Sequence, residues 1–455
     1  MEQKKLKCDC PAFAEIKITE DGPVAKSIKW TSQPDRASFR IINGPKSDTL
    51  ALKAENQQLA FKGSFTRPLA GKGSVMLWFK INQTLCGGRG VGKTVEKILE
   101  VKDLFRVTLI NKGNSVNLVW EWAQDMQDVD DMRVAIPAIP GSVWIHLAVH
   151  WDNQAGLFNG YFNGTPLRIP GTSIPAWQTQ GGTELTIHVG RFTIGELTFL
   201  DYAFGPQSLP QIVEKQHLGT LDDFLGLKDL GTLCTASCRG GLIYENSLSS
   251  RQDIANWVLE GPGKITFEDG RMVMESLEPA GPAATGHIVH WCDRDFPESF
   301  IAEWDFQLVD DYGLCIVFFS ANGINGESIF DPNLEKRNGY FGHYIFGDIN
   351  CYHISYCACT PFDPGRSMSN LRKNPGFYLV ANGPIGIRPA CKDAHKVTLM
   401  KVGPHIQMAV DAKKIIDFED DGERNGPVWG AGKIGLRQMK WTRASYRNFK
   451  VYAVK

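Results

Sequence analysis

The residues best suited to chemistry lie in one short stretch of the chain. Residues 350–356 read NCYHISY, and Arg372-Lys373 follow in the next apolar run. β-Elimination from a uronic acid needs a cation at the substrate carboxylate, a base for the adjacent proton and an acid for the leaving oxygen. Arginine or lysine, histidine and tyrosine suit these tasks. The predicted catalytic residues are His353, Tyr356, Arg372 and Lys373.

Strand alternation divides these candidates. His353 and Tyr356 point to opposite faces of an extended strand, so both can serve one site only if the strand bulges. Further histidines and aromatic faces could hold sugar rings. The predicted substrate-binding residues are His290, Trp291, His343, Tyr352, Arg437 and Trp441. The alternative for each is structural, because histidine and tryptophan also fill sandwich cores and Arg372-Lys373 could be a solvated turn.

A carboxylate pair offers a second chemistry. In Glu303-Trp304-Asp305 the two acids face one side of a strand and Trp304 the other. Retaining glycoside hydrolases use two carboxylates about 5–5.5 Å apart. The third acid of the laminarinase-type strand is absent, since Gln307 and Leu308 stand in its place. The alternative is an acidic pair at a sheet edge or facing calcium.

Two other patterns carry less weight. Gly87–Thr94 fits the G-x-x-x-x-G-K-[ST] phosphate loop, but its flanks are strand-like, so we predict a glycine-rich connection. Cys351, His353, Cys357 and Cys359 share strand parity and could face zinc together, although structural zinc sites usually use C-x2-C turns. A structural calcium at Asp331 or Asp420-Asp421 fits better. No cofactor is expected for catalysis, and metal ligands stay unassigned.

The elements that position these residues are strands. The chain has 455 residues with 46 Gly, 24 Pro and 12 Trp, and short alternating runs are separated by Gly, Asn, Asp or Pro turns. We predict an all-β protein of two jelly-roll sandwiches. The predicted divisions are an N-terminal extension (1–29), a first sandwich (30–207), a linker with a short helix at Ser208–Leu227 (208–240) and a second sandwich, the predicted catalytic domain (241–455).

Two resemblances extend this interpretation. The order WFKI, FRVTL, WIHLAVHWD, GYFNGTPL and HVGRFTIGELTFLDYAFGPQSLPQI resembles a laminin-G-like module of the concanavalin A-like superfamily. The words FIAEWDFQLVDDYGLCIVFFSANG, IFDP, RNGYFGHYIFGDINCYHISY and NLRKNPGFYLVANG resemble a largely uncharacterised bacterial family, also concanavalin A-like, found among polysaccharide-degradation proteins. These resemblances imply two concanavalin A-like folds. The first module is expected to be an accessory carbohydrate-binding or spacer domain.

The functional prediction is a polysaccharide lyase acting on a uronate-containing glycan. The alternatives are a non-catalytic glycan-binding protein and a glycoside hydrolase of laminarinase-like fold. The net charge of −1 argues against nucleic acid as a partner, and the apolar runs are too short to span a membrane. The N-terminal residues lack the apolar segment of a secretory signal, so any such signal has been removed or never existed. A secreted or periplasmic location is expected.

Overall fold

A computed structural model describes residues 14–45, 49–54, 58–69, 71–82, 85–90, 92–102, 104–122, 132–136, 138–139, 143–152, 154, 157–163, 165–167, 183–200, 229–281, 284–359 and 368–455. The chain divides into two compact units. The first comprises Met1–Leu85, Lys93–Asn111 and Val116–Leu221, and the second comprises Cys86–Gly92, Lys112–Ser115 and Asp222–Lys455.

The N-terminal part of the chain consists of short strands. They are β1 (Ala14–Thr19), β2 (Gly22–Lys26), β3 (Ile28–Ser32), β4 (Phe39–Asn43), β5 (Leu50–Ala54), β6 (Leu59–Phe65), β7 (Lys72–Ile81), β8 (Leu85–Cys86), β9 (Thr94–Val101), β10 (Phe105–Asn111), β11 (Val116–Trp122), β12 (Met132–Ile136), β13 (Ala138–Ile139), β14 (Trp144–Asp152), β15 (Leu157–Phe162), β16 (Thr165–Leu167), β17 (Glu184–Val189) and β18 (Phe192–Leu200). One turn of 3-10 helix at Arg36–Ser38 precedes β4.

These strands pair into two large sheets. One follows the order β16-β15-β14-β7-β18-β1-β2, with β5 added to β18 and β4 added to β5. The other follows β12-β11-β10-β9-β17-β6-β3, and β8 pairs with β13. In β6 the alternating residues Leu59, Phe61 and Phe65 are buried, as expected for a strand with one face on a core.

The first strands differ from the sequence expectation. Residues 14–29 were predicted to be an N-terminal extension, yet they contain β1, β2 and the start of β3. Ile16 is paired with Leu197 of β18, and both are buried. The alternation in AEIKIT explains this, because two isoleucines on one face require a core to cover them. The predicted helix at Ser208–Leu227 lies outside the described residues.

The C-terminal part of the chain is a second set of strands. They are β19 (Arg239–Asn246), β20 (Trp257–Glu260), β21 (Gly263–Glu268), β22 (Arg271–Ser276), β23 (Ile288–Cys292), β24 (Phe300–Leu308), β25 (Gly313–Gly323), β26 (Ile349–Cys359), β27 (Met368–Asn374), β28 (Tyr378–Pro384), β29 (His395–Val402), β30 (His405–Val410), β31 (Lys413–Glu419), β32 (Lys433–Gln438) and β33 (Ala444–Val454). A one-turn helix, α1 (Gly342–Ile345), lies between β25 and β26.

The second unit is a sandwich with its main core between two sheets. The eight-stranded sheet has the order β21-β22-β33-β24-β29-β30-β31, with β19 added to β33, and the seven-stranded sheet has the order β20-β23-β32-β25-β26-β27-β28. Trp304 and Phe306 of β24 reach across to Tyr356 of β26, with ring centroids 5.8 and 5.3 Å from it. The all-β, two-sandwich prediction is confirmed. Among the described residues, no helix is long and apolar enough to cross a membrane.

The seven-stranded sheet carries a second, smaller apolar cluster on the face turned away from the main core, here called the outer face. Residues 324–348, the cover segment, pack against this face. Tyr344 of the cover segment stacks on Phe318 of β25 with centroids 5.6 Å apart, and Phe318 stacks on Trp291 of β23 at 5.5 Å. The cover segment therefore shields part of the outer face from solvent.

A buried carboxylate fastens the cover segment to the sheet. Glu260, at the end of β20, accepts hydrogen bonds from Arg337 (2.7 Å), from the Trp291 indole (2.9 Å) and from the Tyr344 hydroxyl (2.9 Å). Arg337 also donates to the Ile329 carbonyl at 2.7 Å. Only 4% of the Arg337 side chain and 10% of the Glu260 side chain are exposed. Buried charges of this kind are tolerated only when they are paired and hydrogen-bonded.

One glycine allows the cover segment to approach the sheet closely. Gly339 has φ of +88°, and a Cβ there would lie 1.9 Å from the carbonyl oxygen of His287. Its amide donates to the Tyr344 hydroxyl at 3.1 Å. A side chain at this position would separate the cover segment from the outer face.

Glu260→Gln is expected to destabilise the C-terminal sandwich by about 3 kcal/mol, because it leaves the Arg337 guanidinium buried without its counter-charge. Chemical denaturation measures this free energy of unfolding. The matched control is Glu275→Gln, which removes a partly exposed partner of Lys264 and should cost less than about 1 kcal/mol. Equal losses in the two variants would show that the Glu260 anchor contributes no more than a surface ion pair.

Candidate functional site

His353 lies on the outer face, in the middle of β26. Its ring stacks on Phe377 with centroids 5.9 Å apart and meets the edges of Phe318 and Phe341 at 5.4 and 6.3 Å. The Nδ1 atom is 2.8 Å from Nδ2 of Asn374 on β27. The imidazole is therefore held in one orientation, and it is only 2% exposed.

Arg372 is the direct cross-strand partner of His353, in the register between β26 and β27. Its guanidinium lies 3.7 Å over the ring of Phe377 and donates to the Phe377 carbonyl at 2.7 Å. Arg372 is half-buried, so part of it reaches solvent. We call His353, Arg372, Asn374 and Phe377 the His–Arg face.

A second arginine lies near this face but is fully buried. Arg437 of β32 packs between Phe341 and Tyr344, with its guanidinium carbon 4.7 and 4.6 Å from the two ring centroids. It donates to the Gly339 carbonyl at 3.3 Å, whereas its Nε and Nη1 atoms have no hydrogen-bond partner among the described residues. Burial lowers the pKa of Arg437 to about 10.

Phe341 links the two basic groups. This half-buried cover-segment residue contacts both His353 and Arg437, and its ring lies 5.5 Å from that of Phe377. The outer face thus combines one base of fixed orientation, two guanidinium groups and flat apolar rings, which suits an anionic ligand with sugar-like apolar faces.

The other two predicted catalytic residues do not join the His–Arg face. Tyr356 is fully buried in the main core against Trp304 and Phe306, and burial raises its pKa well above the ordinary value. Lys373 is on the opposite side of β27 from Arg372. Strand alternation is the reason, because neighbouring residues project to opposite faces. The predicted group of four is thus divided, with only His353 and Arg372 brought together.

Lys373 belongs to a separate buried network. Its Nζ atom lies 2.7 Å from Asp420 and donates to the Gly426 carbonyl at 2.6 Å. The Tyr352 hydroxyl donates to Asp420 and accepts from the Trp429 amide at 3.0 Å. Tyr352 was predicted to bind substrate, but its hydroxyl is committed to this ion pair.

The remaining predicted substrate-binding residues are scattered. Trp291 is fully buried beneath the cover segment, and His290 faces the main core beside Trp257 at a centroid distance of 5.1 Å. His343 lies in α1, 3.5 Å from Glu335. Trp441 is half-buried and meets the His287 ring edge-on at 5.7 Å. Of this group, Trp291, Arg437 and Trp441 are on the same outer face as the His–Arg face.

The alternative catalytic pair is engaged in ion pairs. As predicted, Trp304 lies in the main core while Glu303 and Asp305 face away from it. Arg239 binds both Glu303 oxygens, and Asp305 accepts from Asn448 at 2.7 Å. Both carboxylates therefore have structural partners on the eight-stranded sheet.

The phosphate-loop and metal patterns have structural explanations. Thr94, the last residue of the phosphate-loop pattern, begins strand β9, so no helix follows to bind phosphate. Cys357 faces the main core beside Cys315 because the strand register shifts there, so it cannot share a zinc with His353. The Asp331 and Asp421 carboxylates accept local amide hydrogen bonds. In the described ranges, no cluster of three or more His, Cys, Asp or Glu is arranged to hold a metal ion.

Sequence reasoning missed the aromatic walls of the site. Phe377 follows Asn374-Pro375-Gly376, a combination that predicts a turn, and the turn brings its ring back over His353 and Arg372. Phe341 and the Glu260 anchor depend on contacts between segments far apart in the sequence. Only the NPG turn offered a local signal.

Comparisons with known proteins identify relatives of the C-terminal half. A family model described as "Domain of unknown function (DUF1961)" matches residues 241–451. "Uncharacterized protein YesU" of Bacillus subtilis (strain 168) is 37% identical over 217 residues, which is 47% of this chain and 96% of that protein. The match falls where the sequence resembles an uncharacterised bacterial family.

Solved structures provide two further likenesses. A Bacillus subtilis protein of unknown function with galectin-like fold is 35% identical, with a TM-score of 0.44, and the match covers 48% of this chain and 97% of that one. Carbohydrate binding module CBM66 from Bacillus subtilis is 14% identical, with a TM-score of 0.29, covering 44% and 96%.

His290 is expected to make the fold sensitive to acid. Burial lowers the pKa of His290 from 6.5 to about 3. Between pH 6.5 and about pH 3, this histidine is therefore protonated in the unfolded chain and neutral in the folded chain. Its contribution to stability is therefore lost as the pH falls below 6.5, by up to about 1.4 kcal/mol per pH unit. We predict that His290→Leu flattens this part of the curve of unfolding free energy against pH, while His405→Leu, at a partly exposed histidine paired with Asp417, does not. Parallel curves for wild type and His290→Leu would contradict the inference that His290 is neutral in the folded protein.

Proposed function

The chain belongs, through residues 241–451, to the family described as Domain of unknown function (DUF1961), and we propose that this half binds a uronate-containing glycan and cleaves it by β-elimination. The observation that carries the proposal is the cross-strand pair of His353 and Arg372 on one face of the sheet. This pair places a candidate base beside a candidate carboxylate-binding cation and does not require Tyr356 or Lys373.

Arg372 is assigned to the substrate carboxylate. A guanidinium matches a carboxylate with two parallel hydrogen bonds, and neutralising the carboxylate acidifies the adjacent carbon-bound proton. Arg372 uses Nη1 on the Phe377 carbonyl and stacks on that ring, so its planar group is already oriented. Arg437 adds positive charge beneath the same face, which favours an acidic ligand over a neutral one.

His353 is assigned as the base. The Oδ1 atom of Asn374 is buried and has no hydrogen-bond partner among the residues described, while its Nδ2 faces His353 Nδ1. Turning this amide over lets Oδ1 accept from Nδ1–H, which satisfies the buried oxygen and leaves a lone pair on Nε2. Nε2 then removes the proton next to the carboxylate. The carbon–hydrogen electron pair becomes the double bond, the bond to the leaving oxygen breaks, and that oxygen takes a proton from His353 or water.

Substrate access requires movement of the aromatic walls. His353 is 2% exposed, and Phe341 and Phe377 enclose it. We assign these half-buried rings to the sugar-contacting surface that moves aside when a chain binds. The low exposure of His353 also favours a second candidate function, in which the outer face binds an acidic glycan without cleaving it.

The N-terminal sandwich is proposed as an accessory carbohydrate-binding domain of laminin-G-like type. Its polar strand residues are already engaged in packing, since His146 lies 4.6 Å from the Trp78 ring centroid and His150 is 3.1 Å from the Tyr161 hydroxyl. This favours positioning over catalysis. Because a polysaccharide substrate is met outside the cell, a secreted or periplasmic location forms part of this proposal.

The test is a screen of the purified chain against uronate-bearing polysaccharides, following both the ultraviolet absorbance of the unsaturated product and the release of reducing ends. Elimination predicts that the two signals rise together. His353→Gln should lower the rate at least about a hundredfold while leaving glycan binding within about twofold, because it removes only the base. His405→Gln, which alters an exposed histidine on the other sheet, should keep the wild-type rate.

Three other outcomes count against the proposed reaction or its proposed base. Reducing ends without absorbance would indicate hydrolysis. Binding without either signal across the panel would favour the non-catalytic glycan-binding function. An unchanged rate in well-folded His353→Gln would remove His353 from the reaction.

A further inference from the structure

Outside the His–Arg face, a cysteine, a histidine and an aspartate form a hydrogen-bonded line. Cys391 lies in the loop between β28 and β29, His395 is the first residue of β29, and Asp411 follows β30. The Cys391 sulfur is 3.2 Å from His395 Nε2, and His395 Nδ1 is 2.7 Å from Asp411 Oδ2. The three side chains thus place a nucleophile next to a base, and the base next to a group that orients it.

Asp411 sets the direction of proton transfer. Its Oδ1 accepts from the Lys396 amide at 2.8 Å, so the carboxylate is fixed by the backbone of β29. The Oδ2 atom then accepts Nδ1–H of His395, which leaves the lone pair of Nε2 facing the thiol. His395 can take the Cys391 proton and become an imidazolium stabilised on both sides.

The surroundings distinguish Cys391 from the chain's other described thiols. Cys292, Cys315, Cys351 and Cys357 are buried, and burial raises the pKa of Cys292 to about 11 and that of Cys351 to about 12. Cys391 and Cys238 are both partly accessible, but the Cys238 sulfur donates to the Thr235 carbonyl at 3.4 Å, whereas the Cys391 sulfur faces a histidine. Cys234 is exposed, which makes it a natural internal comparison.

The charged groups facing Cys391 are of both signs. The Asp393 carboxylate is 3.8 Å from the sulfur and would repel negative charge on it, whereas His395 Nε2 is 3.2 Å from the sulfur. Lys392 is next in the chain, but its Nζ is bound to Asp311 at 2.9 Å and to the Val309 carbonyl at 2.7 Å. Lys396 lies 4.0 Å from Glu303. Among the described residues named here, the imidazole is therefore the basic group that contacts the sulfur directly.

We propose that Cys391 is a reactive thiol and a modification site for soft electrophiles, above all the disulfides of small thiols. His395 takes the proton, and the Cys391 thiolate attacks one sulfur of the disulfide. A new sulfur–sulfur bond forms as the old one breaks, and the displaced thiolate leaves and is protonated. The exchange needs no further oxidant, because the small-molecule disulfide supplies the oxidising equivalent.

The probe is glutathione disulfide at neutral pH, with peptide mass spectrometry to follow Cys391 and Cys234 in the same protein. Cys391 should react at least about tenfold faster than Cys234, because His395 is placed to accept the thiol proton as the sulfur attacks. His395→Gln should abolish this advantage, Asp411→Asn should reduce it, and Asp393→Asn should increase the rate by removing an opposing charge. The rate at Cys234 should not change in any variant.

Three results would overturn the proposal. The first is equal reactivity of Cys391 and Cys234 in wild type, and the second is an unchanged Cys391 rate in His395→Gln, with thermal melting used to verify folding. The third is a protein that reacts at Cys391 only after chelation, because the cysteine and histidine would then be metal ligands. Asp393→Asn carries its own control for folding. A gain in rate at Cys391 alone indicates a folded protein, because an unfolded chain would not confine the gain to Cys391.

Discussion

The cover over the outer face of the C-terminal sandwich depends on one buried carboxylate. Glu260 collects donors from the sheet, through Trp291, and from the cover segment, through Arg337 and Tyr344. This holds Tyr344 on Phe318 and sets Phe341 between His353 and Arg437. Without it, a net positive and partly apolar face would be left without its cover. The cost of burying charge is met by a complete set of hydrogen bonds around that carboxylate.

Fold and site differ in how far the sequence predicts them. Alternation is a local property, so the two-sandwich architecture and the opposite faces of Trp304 and its acidic neighbours follow from the sequence. The candidate site depends on how the strands pair. Strand register and the packing of each sheet face decide whether Tyr356 or Arg372 lies on the same face as His353. The cover segment has no strand periodicity and is fixed by contacts with distant strands, so its position could not be predicted.

The positive charge of the outer face is the reason for proposing an acidic ligand. Arg372 is half-buried and oriented by the Phe377 carbonyl and ring, while Arg437 lies deeper with Nε and Nη1 unpartnered among the described residues. A guanidinium that is shielded from water and lacks a full set of hydrogen-bond acceptors favours the binding of an anion that can reach it. The reactive-thiol proposal rests on the eight-stranded sheet and is independent of this argument.

The central claim is that the His–Arg face recognises a carboxylate. The direct measurement is a calorimetric titration of the full chain with an oligouronate and with its carboxyl-reduced counterpart. The oligouronate should bind at least about tenfold more tightly, and Arg372→Gln should remove most of that difference, whereas Arg251→Gln at an exposed site should leave it intact. Equal affinities for the two oligosaccharides, or a difference that survives Arg372→Gln in a folded protein, would contradict the claim.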